Sequence, residues 1–348
     1  MALISDPVHV ERIYRRAMDV GLCLANFCTS NLYTTEAILR AAHTFASDHG
    51  LEDVPIVISA TANYPIEPQL VSYTHLKSAA MGMRALVDDI RTLTGPGSPY
   101  ASLHVLLHLD HGQPDLDAGL FEEAAEHYAT IMYTIMYDAT KWPLDQNIEM
   151  TRRFVERMRG RVLVEGAVAE IAQAAEHADV PLTSPEAAER FFKATGVFLI
   201  VPDLGTEHRA TSVAARYNGD VAREITRRIG KRIVLHGSSS LQDAELPRLA
   251  SDGIVKVNVW TIFERLGGQA VARHVLRHLD RILPAEEIES LIAQGVLGPA
   301  LHVRLVESPG PALDSLREEA RRDVWQEAVE ARMRFYLEQY GYGRWRPL

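Results

Sequence analysis

Eight short apolar runs, each followed by a polar loop and then by a stretch of helical periodicity, constrain this chain more than any other feature. The runs are Leu22–Phe27, Val54–Ile58, Leu103–Leu107, Ile131–Tyr137, one starting at Val162, Val197–Ile200, Ile233–Leu235 and Ile254–Val257. Between them lie helical patterns over Thr34–Ser47, Leu76–Thr92, a stretch after Asp115 through Ala125, Leu144–Met158, Ala187–Ala194, Val221–Ile229 and Leu241–Leu249. Runs this short suit parallel strands covered on both faces, and the helices between them suit right-handed crossovers. Eight such units predict an α/β fold, a closed (β/α)8 TIM barrel. The barrel is expected over residues 1–285. Residues 286–348 read as a C-terminal helical extension, broken at Gly295–Pro299, packed on the barrel or on a partner subunit.

The 348 residues carry a formal charge of -10, with 47% hydrophobic content, enough for one large domain. The acidic balance argues against a nucleic-acid groove. No basic segment followed by a long apolar run opens the chain, and no apolar stretch reaches membrane-spanning length, so the expected setting is the cytoplasm, with no membrane partner. Cys23 and Cys28 are too few for a disulfide framework and are expected in or near the core.

The polar residues of interest fall just after the apolar runs. Leu107-His108-Leu109-Asp110-His111-Gly112 ends the third. His208 closes the segment after the sixth, and His236 follows the seventh. In a barrel these positions share the carboxyl-terminal face of the strands, where active sites form. Three strand-end imidazoles suit zinc or a similar divalent ion with one position open for substrate. Asp138 and Glu165 end the fourth and fifth runs. Each is either a further ligand or a partner to one, and each also suits a helix cap or an ion pair. Asp110 adjoins His111, so both face the site only if the backbone turns there, which Gly112 is expected to ease. A carboxylate beside the metal can then exchange a proton with substrate while the metal polarises a carbonyl. His108 is expected to line the barrel interior as a hydrogen-bonded residue. The small-residue loop Gly237-Ser238-Ser239-Ser240 can present backbone N–H groups to an anion, and a phosphate site after strands seven and eight recurs in this architecture.

Together these runs resemble the class II, metal-dependent fructose-bisphosphate aldolase family. The matching segments are Leu107–Gly112, Tyr137-Asp138 with Pro143–Ile148, Thr195-Gly196, Gly205–His208, Leu235–Ser239 and Gly253–Asn258, and the likeness spans roughly residues 15 to 280. It implies a barrel enzyme that is a homodimer or homotetramer and holds a divalent metal, commonly zinc. Residue by residue, it implies His111, His208 and His236 as metal ligands and Asp110 as the acid that exchanges a proton with the C4 hydroxyl or aldehyde oxygen. It places Asp138 near an alternate metal position, and Glu165 matches the first of two acids the family carries around strand five. Gly205, Gly237, Ser239, Asn258 and Thr261 fall in the substrate- and phosphate-binding segments. The substrates implied are a phosphorylated sugar, or dihydroxyacetone phosphate plus an aldehyde.

Several positions depart from the family pattern. The second strand-five acid is Ala167, and the mobile acid that handles the C3 proton is matched only by Glu176 in an altered loop. Arg209 replaces a glycine and adds a planar donor fork suited to phosphate or carboxylate, unless it faces solvent. Trp260 replaces a small acid. These changes surround the substrate and spare the metal, so the expected enzyme is an aldehyde-lyase of altered substrate. The alternatives are a metal-dependent sugar-phosphate isomerase or epimerase, a metal-dependent hydrolase, and a noncatalytic aldolase-like binding protein.

Overall fold

In the computed structural model, residues 2–4, 6–123, 134–170, 182–207 and 217–348 are described. Eight parallel strands close into a barrel: β1 Leu24–Cys28, β2 Pro55–Thr61, β3 His104–Gly112, β4 Thr134–Tyr137, β5 Leu163–Ala167, β6 Leu199–Val201, β7 Ile233–Leu235 and β8 Ile254–Val259. Neighbours pair in sequence order, and β8 pairs back to β1 with Asn26 opposite Asn258. Apart from His104 and Leu163, every strand residue is buried, as expected of a parallel sheet covered by helices.

The helices are α1 Pro7–Val20, α2 Leu32–His49, α3 Gln69–Tyr73, α4 Ala79–Leu93, α5 Ala118–Glu123, α6 Leu144–Met158, α7 Pro185–Thr195 and α8 Gly219–Ile229. The expected stretch Leu76–Thr92 is α4, which starts three residues later at its Ser78 cap; the short α3 precedes it and was not expected. Leu241–Leu249 forms a 3-10 segment over Asp243–Arg248 in place of an α-helix, because Pro247 lies inside it. α1 was not among the expected helices. Asp6 caps it by accepting from the N–H groups of Val8 and His9, Pro7 opens it, and Gly21 ends it in the left-handed region. Its Tyr14 packs edge-on against Phe198, just before β6, and the Met18 carbonyl accepts from Lys231, just before β7, at 3.1 Å. α1 therefore covers the amino-terminal end of these strands.

Two compact units emerge. The first comprises Met1–Thr261 with Met333–Leu348 and contains the barrel. Within it the last residues are anchored by the Tyr342 hydroxyl, which accepts from the Ala25 N–H at 2.9 Å, and by the buried Trp345, whose indole donates to the Glu52 carbonyl at 3.2 Å. Of the carboxyl-terminal arginines, Arg334 pairs with Asp48 and Arg344 donates to the Gly21 carbonyl. The second unit, Ile262–Arg332, is helical, with the Ala312 N–H donating to the Arg281 carbonyl at 3.0 Å. Among the described residues no helix is long and apolar enough to cross a membrane.

One irregularity positions everything discussed below. β3 runs on through Asp110 and His111, and its register against β4 jumps from Leu109↔Ile135 to Gly112↔Tyr137. Three steps on β3 oppose two on β4, which is a β-bulge. His111 takes the left-handed conformation, with φ 45°. The turn expected at Gly112 is therefore made by His111 itself, at a cost on the order of 1–2 kcal/mol for a residue with a Cβ. Gly112 serves a different purpose: a Cβ there would lie 2.8 Å from the Phe121 ring and 3.0 Å from the Met136 carbonyl oxygen. Gly112→Ala should destabilise the fold by about 1–3 kcal/mol through overpacking. Urea unfolding of the metal-free protein checks this, and an unchanged midpoint contradicts it.

Candidate metal centre and active site

The bulge turns two consecutive side chains of β3 toward one cleft at the carboxyl-terminal end of the barrel. Asp110, His111 and His236 each offer a ligand atom there, and the three atoms lie within 4.8 Å of one another. All three residues are buried. The His111 and His236 rings meet edge to face, with centroids 5.0 Å apart.

His111 is held in one tautomer. Its Nδ1–H donates to Asp138 Oδ2 at 2.7 Å, while Asp138 Oδ1 accepts from the Thr140 hydroxyl at 2.7 Å. The ring nitrogen left for a metal is Nε2. A carboxylate behind a ligating imidazole is the usual means of orienting it and raising its basicity, so the donor set and its support fit a divalent ion. Tyr64 stacks on the other face of the His111 ring, nearly parallel at 4.4 Å.

Asp110 sits among cations and donors. Its Oδ1 accepts from the Asn258 amide at 3.0 Å and lies 3.8 Å from Nε2 of both His236 and His108. Its Oδ2 lies 3.6 Å from the Cys28 thiol. Burial pushes the Asp110 carboxyl up, but His236, His111 and His108 more than offset this and hold it well below the ordinary carboxylate range. Asp110 is thus an ionised carboxylate, a base. Burial, with Asp110 beside it, drives the Cys28 thiol well up, so Cys28 is no nucleophile.

The turn after β7 is tied down from three sides. Gly237 is left-handed, with φ 67°, and a Cβ there would come within 2.8 Å of the Glu207 backbone. The Thr206 hydroxyl donates to the His236 carbonyl at 2.7 Å. The Ser238 hydroxyl donates to the Asn258 carbonyl at 2.6 Å, and Ser240 Oγ donates to the Gly237 carbonyl at 2.8 Å. Ser238 and Ser240 thereby hold the loop, and Ser239 lies on the cleft wall with Gly237, Asn258, Trp260 and Thr261. Cys28, Tyr64 and Ile66 complete the apolar side of the cleft.

The structure separates some of the expected site residues. Gly205 is a turn residue, with φ 83°, whose N–H donates to Asp203 at 2.8 Å; it does not line the cleft. Among the described residues Glu165 is not in the metal cluster; its Oε2 accepts from Lys256 at 2.8 Å across the barrel lumen. His108 lines the interior as expected, bonded to Thr134. His208, Arg209 and Glu176 lie outside the described residues. Tyr64 and Lys256 were not singled out from the sequence. The signal for Lys256 was a cation inside an apolar strand; Tyr64 carried only its place in the loop after β2.

The sequence matches the family described as Fructose-bisphosphate aldolase class-II over residues 8–333. The chain belongs to this family. Among solved structures, it is similar to the fructose-bisphosphate aldolase of Campylobacter jejuni, with a TM-score of 0.72 and 15% identity over 96% of this chain and 94% of that one. It is also similar to the YdjI aldolase of Escherichia coli K12, with a TM-score of 0.63 and 18% identity over 95% of this chain and 96% of that one. Identities this low carry the shared barrel. Family membership and the Asp110–His111–His236 cluster together support metal-dependent aldol chemistry in this class II member, and so a lyase activity.

The His111 surroundings set a pH dependence. Burial lowers the ring's affinity for a proton, but Asp110 and Asp138 more than restore it, so His111 titrates above the ordinary imidazole value of 6.5. A divalent ion requires the neutral ring, and protons therefore compete from a higher pH than at a free histidine. The apparent affinity for zinc, followed by calorimetry, should begin to fall while the pH is still above about 6.5. An affinity that stays flat until well below that value contradicts the assignment of His111.

Proposed function

We propose that the protein catalyses reversible aldol cleavage of a ketose phosphate, releasing a dihydroxyacetone-phosphate-like ketone and an aldehyde. The observation that carries this reading is the ionised, buried Asp110 carboxylate set beside two imidazoles that can hold one metal ion. The ligands would be His111 and His236 with His208 as the third, and zinc suits this donor set best among divalent ions. Such an ion polarises a carbonyl and stabilises the negative charge that develops on its oxygen.

The side chains supply the rest. In cleavage, Asp110 takes the proton of the hydroxyl on the carbon that becomes the aldehyde. The carbon–carbon bond breaks as that carbonyl forms, and the bonding electrons pass to the donor fragment. In condensation Asp110 returns the proton to the aldehyde oxygen. Asn258 donates to Oδ1 and the Cys28 thiol to Oδ2, which together hold the carboxylate in place. The Gly237–Ser239 turn, with Asn258 and Thr261, would hold the phosphate, so that binding far from the reacting carbon orients it. Glu176 would handle the proton of the donor's carbon, Arg209 would add a second anion contact, and Gly205 would shape the approach to His208. Asp138 serves His111 by orienting it. Trp260 on the cleft wall, where the family pattern has a small acid, favours an acceptor different from that of the glycolytic reaction. A homodimer or homotetramer working in the cytoplasm, where phosphorylated sugars are held, belongs to the same reading.

Asp110→Ala should lower turnover by about two to four orders of magnitude, as loss of a general base does, while one divalent ion per chain is retained. Product analysis by NMR on the parent protein should show two fragments. A single rearranged sugar would point to an isomerase, and normal turnover in the variant would remove Asp110 from its role.

A further inference from the structure

Beneath the candidate site, the barrel lumen holds His108, Glu165 and Lys256, buried ionisable side chains that the chemistry above does not use. The Lys256 and Glu165 side chains have no exposed surface, and Nζ donates to Oε2 at 2.8 Å. β8 and β5 are not neighbours in the barrel, so this bond spans the lumen. Withdrawing two charges from water is costly, and a buried pair is often no more stabilising than apolar residues of the same volume. Its presence calls for a reason other than stability.

The geometry supplies one. Glu165 Oε2 lies 3.7 Å from His108 Nε2, and the same nitrogen lies 3.8 Å from Asp110 Oδ1. The other ring nitrogen, Nδ1, is 3.1 Å from the Thr134 carbonyl oxygen and 2.7 Å from its hydroxyl. A carbonyl only accepts, so Nδ1 carries a proton and the ring is fixed in orientation. Lys256 and Asn258 alternate along β8 on one face, as His108 and Asp110 do along β3. Asp110 Oδ1 is therefore approached by Asn258 from β8 and by His108 from below, each standing over a member of the ion pair or beside it. Oδ2 accepts from the Cys28 thiol at 3.6 Å, and Asp110 and Cys28 both line the cleft.

We propose that Glu165, Lys256 and His108, with Thr134, form a positioning relay for Asp110. By keeping Oδ1 in place they orient the Asp110 carboxylate toward the hydroxyl of the bound ketose. All four are positioning residues, since none lines the cleft, and Glu165 acts in the lumen, not at a metal. The proposal rests on the aldolase reading, and it separates two half-reactions. Loss of the donor's own carbon-bound proton does not use Asp110; making and breaking the carbon–carbon bond does.

Two variants test it: Thr134→Val, which removes the hydroxyl behind His108 at nearly constant volume, and Glu165→Gln with Lys256→Met, which removes both buried charges together. Thr134→Val leaves every charge in place, so it decides the matter even where the double variant does not fold. Each is assayed for cleavage of a ketose phosphate, for exchange of the dihydroxyacetone phosphate proton in deuterated water by NMR, and for bound zinc by elemental analysis. The kcat for cleavage should fall about 10-fold or more, with KM and the exchange rate each within about 2-fold of the parent. One zinc per chain should be retained. Equal loss of cleavage and exchange, unchanged cleavage, or loss of zinc from the charge-removed variant overturns the relay. A parent protein that shows neither reaction overturns the aldolase reading itself, and this proposal with it.

Discussion

A single extra residue in β3 governs the site. In a regular strand, successive side chains point to opposite faces, and Asp110 and His111 would be divided between the barrel lumen and the surrounding helices. The bulge against β4 and the left-handed backbone at His111 bring both to one cleft. A buried carboxylate and an imidazole suited to a metal ion thereby become neighbours in space as well as in sequence. The strain of a histidine at positive φ is held by Asp138 on one ring nitrogen, by Tyr64 stacked on the ring face, and by the close approach that Gly112 permits to Phe121 and Met136. Backbone strain persists where the surroundings over-determine it, and such places tend to be functional.

The electrostatics follow from that placement. His236, His111 and His108 hold the Asp110 carboxyl well below its ordinary range despite its burial, while Asp110 and Asp138 in turn raise the proton affinity of His111. The same charges that make His111 a good metal ligand make Asp110 a base. The β7 turn adds the third component, an anion-suited loop fastened through Thr206, Ser238 and Ser240 to its neighbours.

Much of this was legible in the sequence, for definable reasons. Eight apolar runs ending in polar residues carry the barrel, because parallel strands are buried on both faces and their ends meet at one pole. Asp110, His111 and His236 were readable as a cluster on that ground alone. The N-terminal helix was missed although Asp6-Pro7 and Gly21 are good cap signals and Val10, Ile13, Tyr14 and Ala17 form an apolar stripe at helical spacing. The bulge was not legible, since a histidine announces no left-handed backbone and the adjacent Gly112 drew the turn to itself. Nor was the Glu165–Lys256 bond, because strands three apart around a closed barrel meet only across its lumen. A carboxylate at a strand end looks the same whether it faces a metal or a buried lysine.

The proposed chemistry depends on one ion being held by imidazoles at the bulged end of β3. The most direct test is anomalous diffraction at the zinc edge from crystals of the zinc-loaded protein. The expected result is one strong peak per chain within coordination distance, about 2.0–2.1 Å, of nitrogens of His111 and His236, with His208 as the third ligand. A peak located elsewhere, or no peak at these rings under saturating zinc, would contradict it.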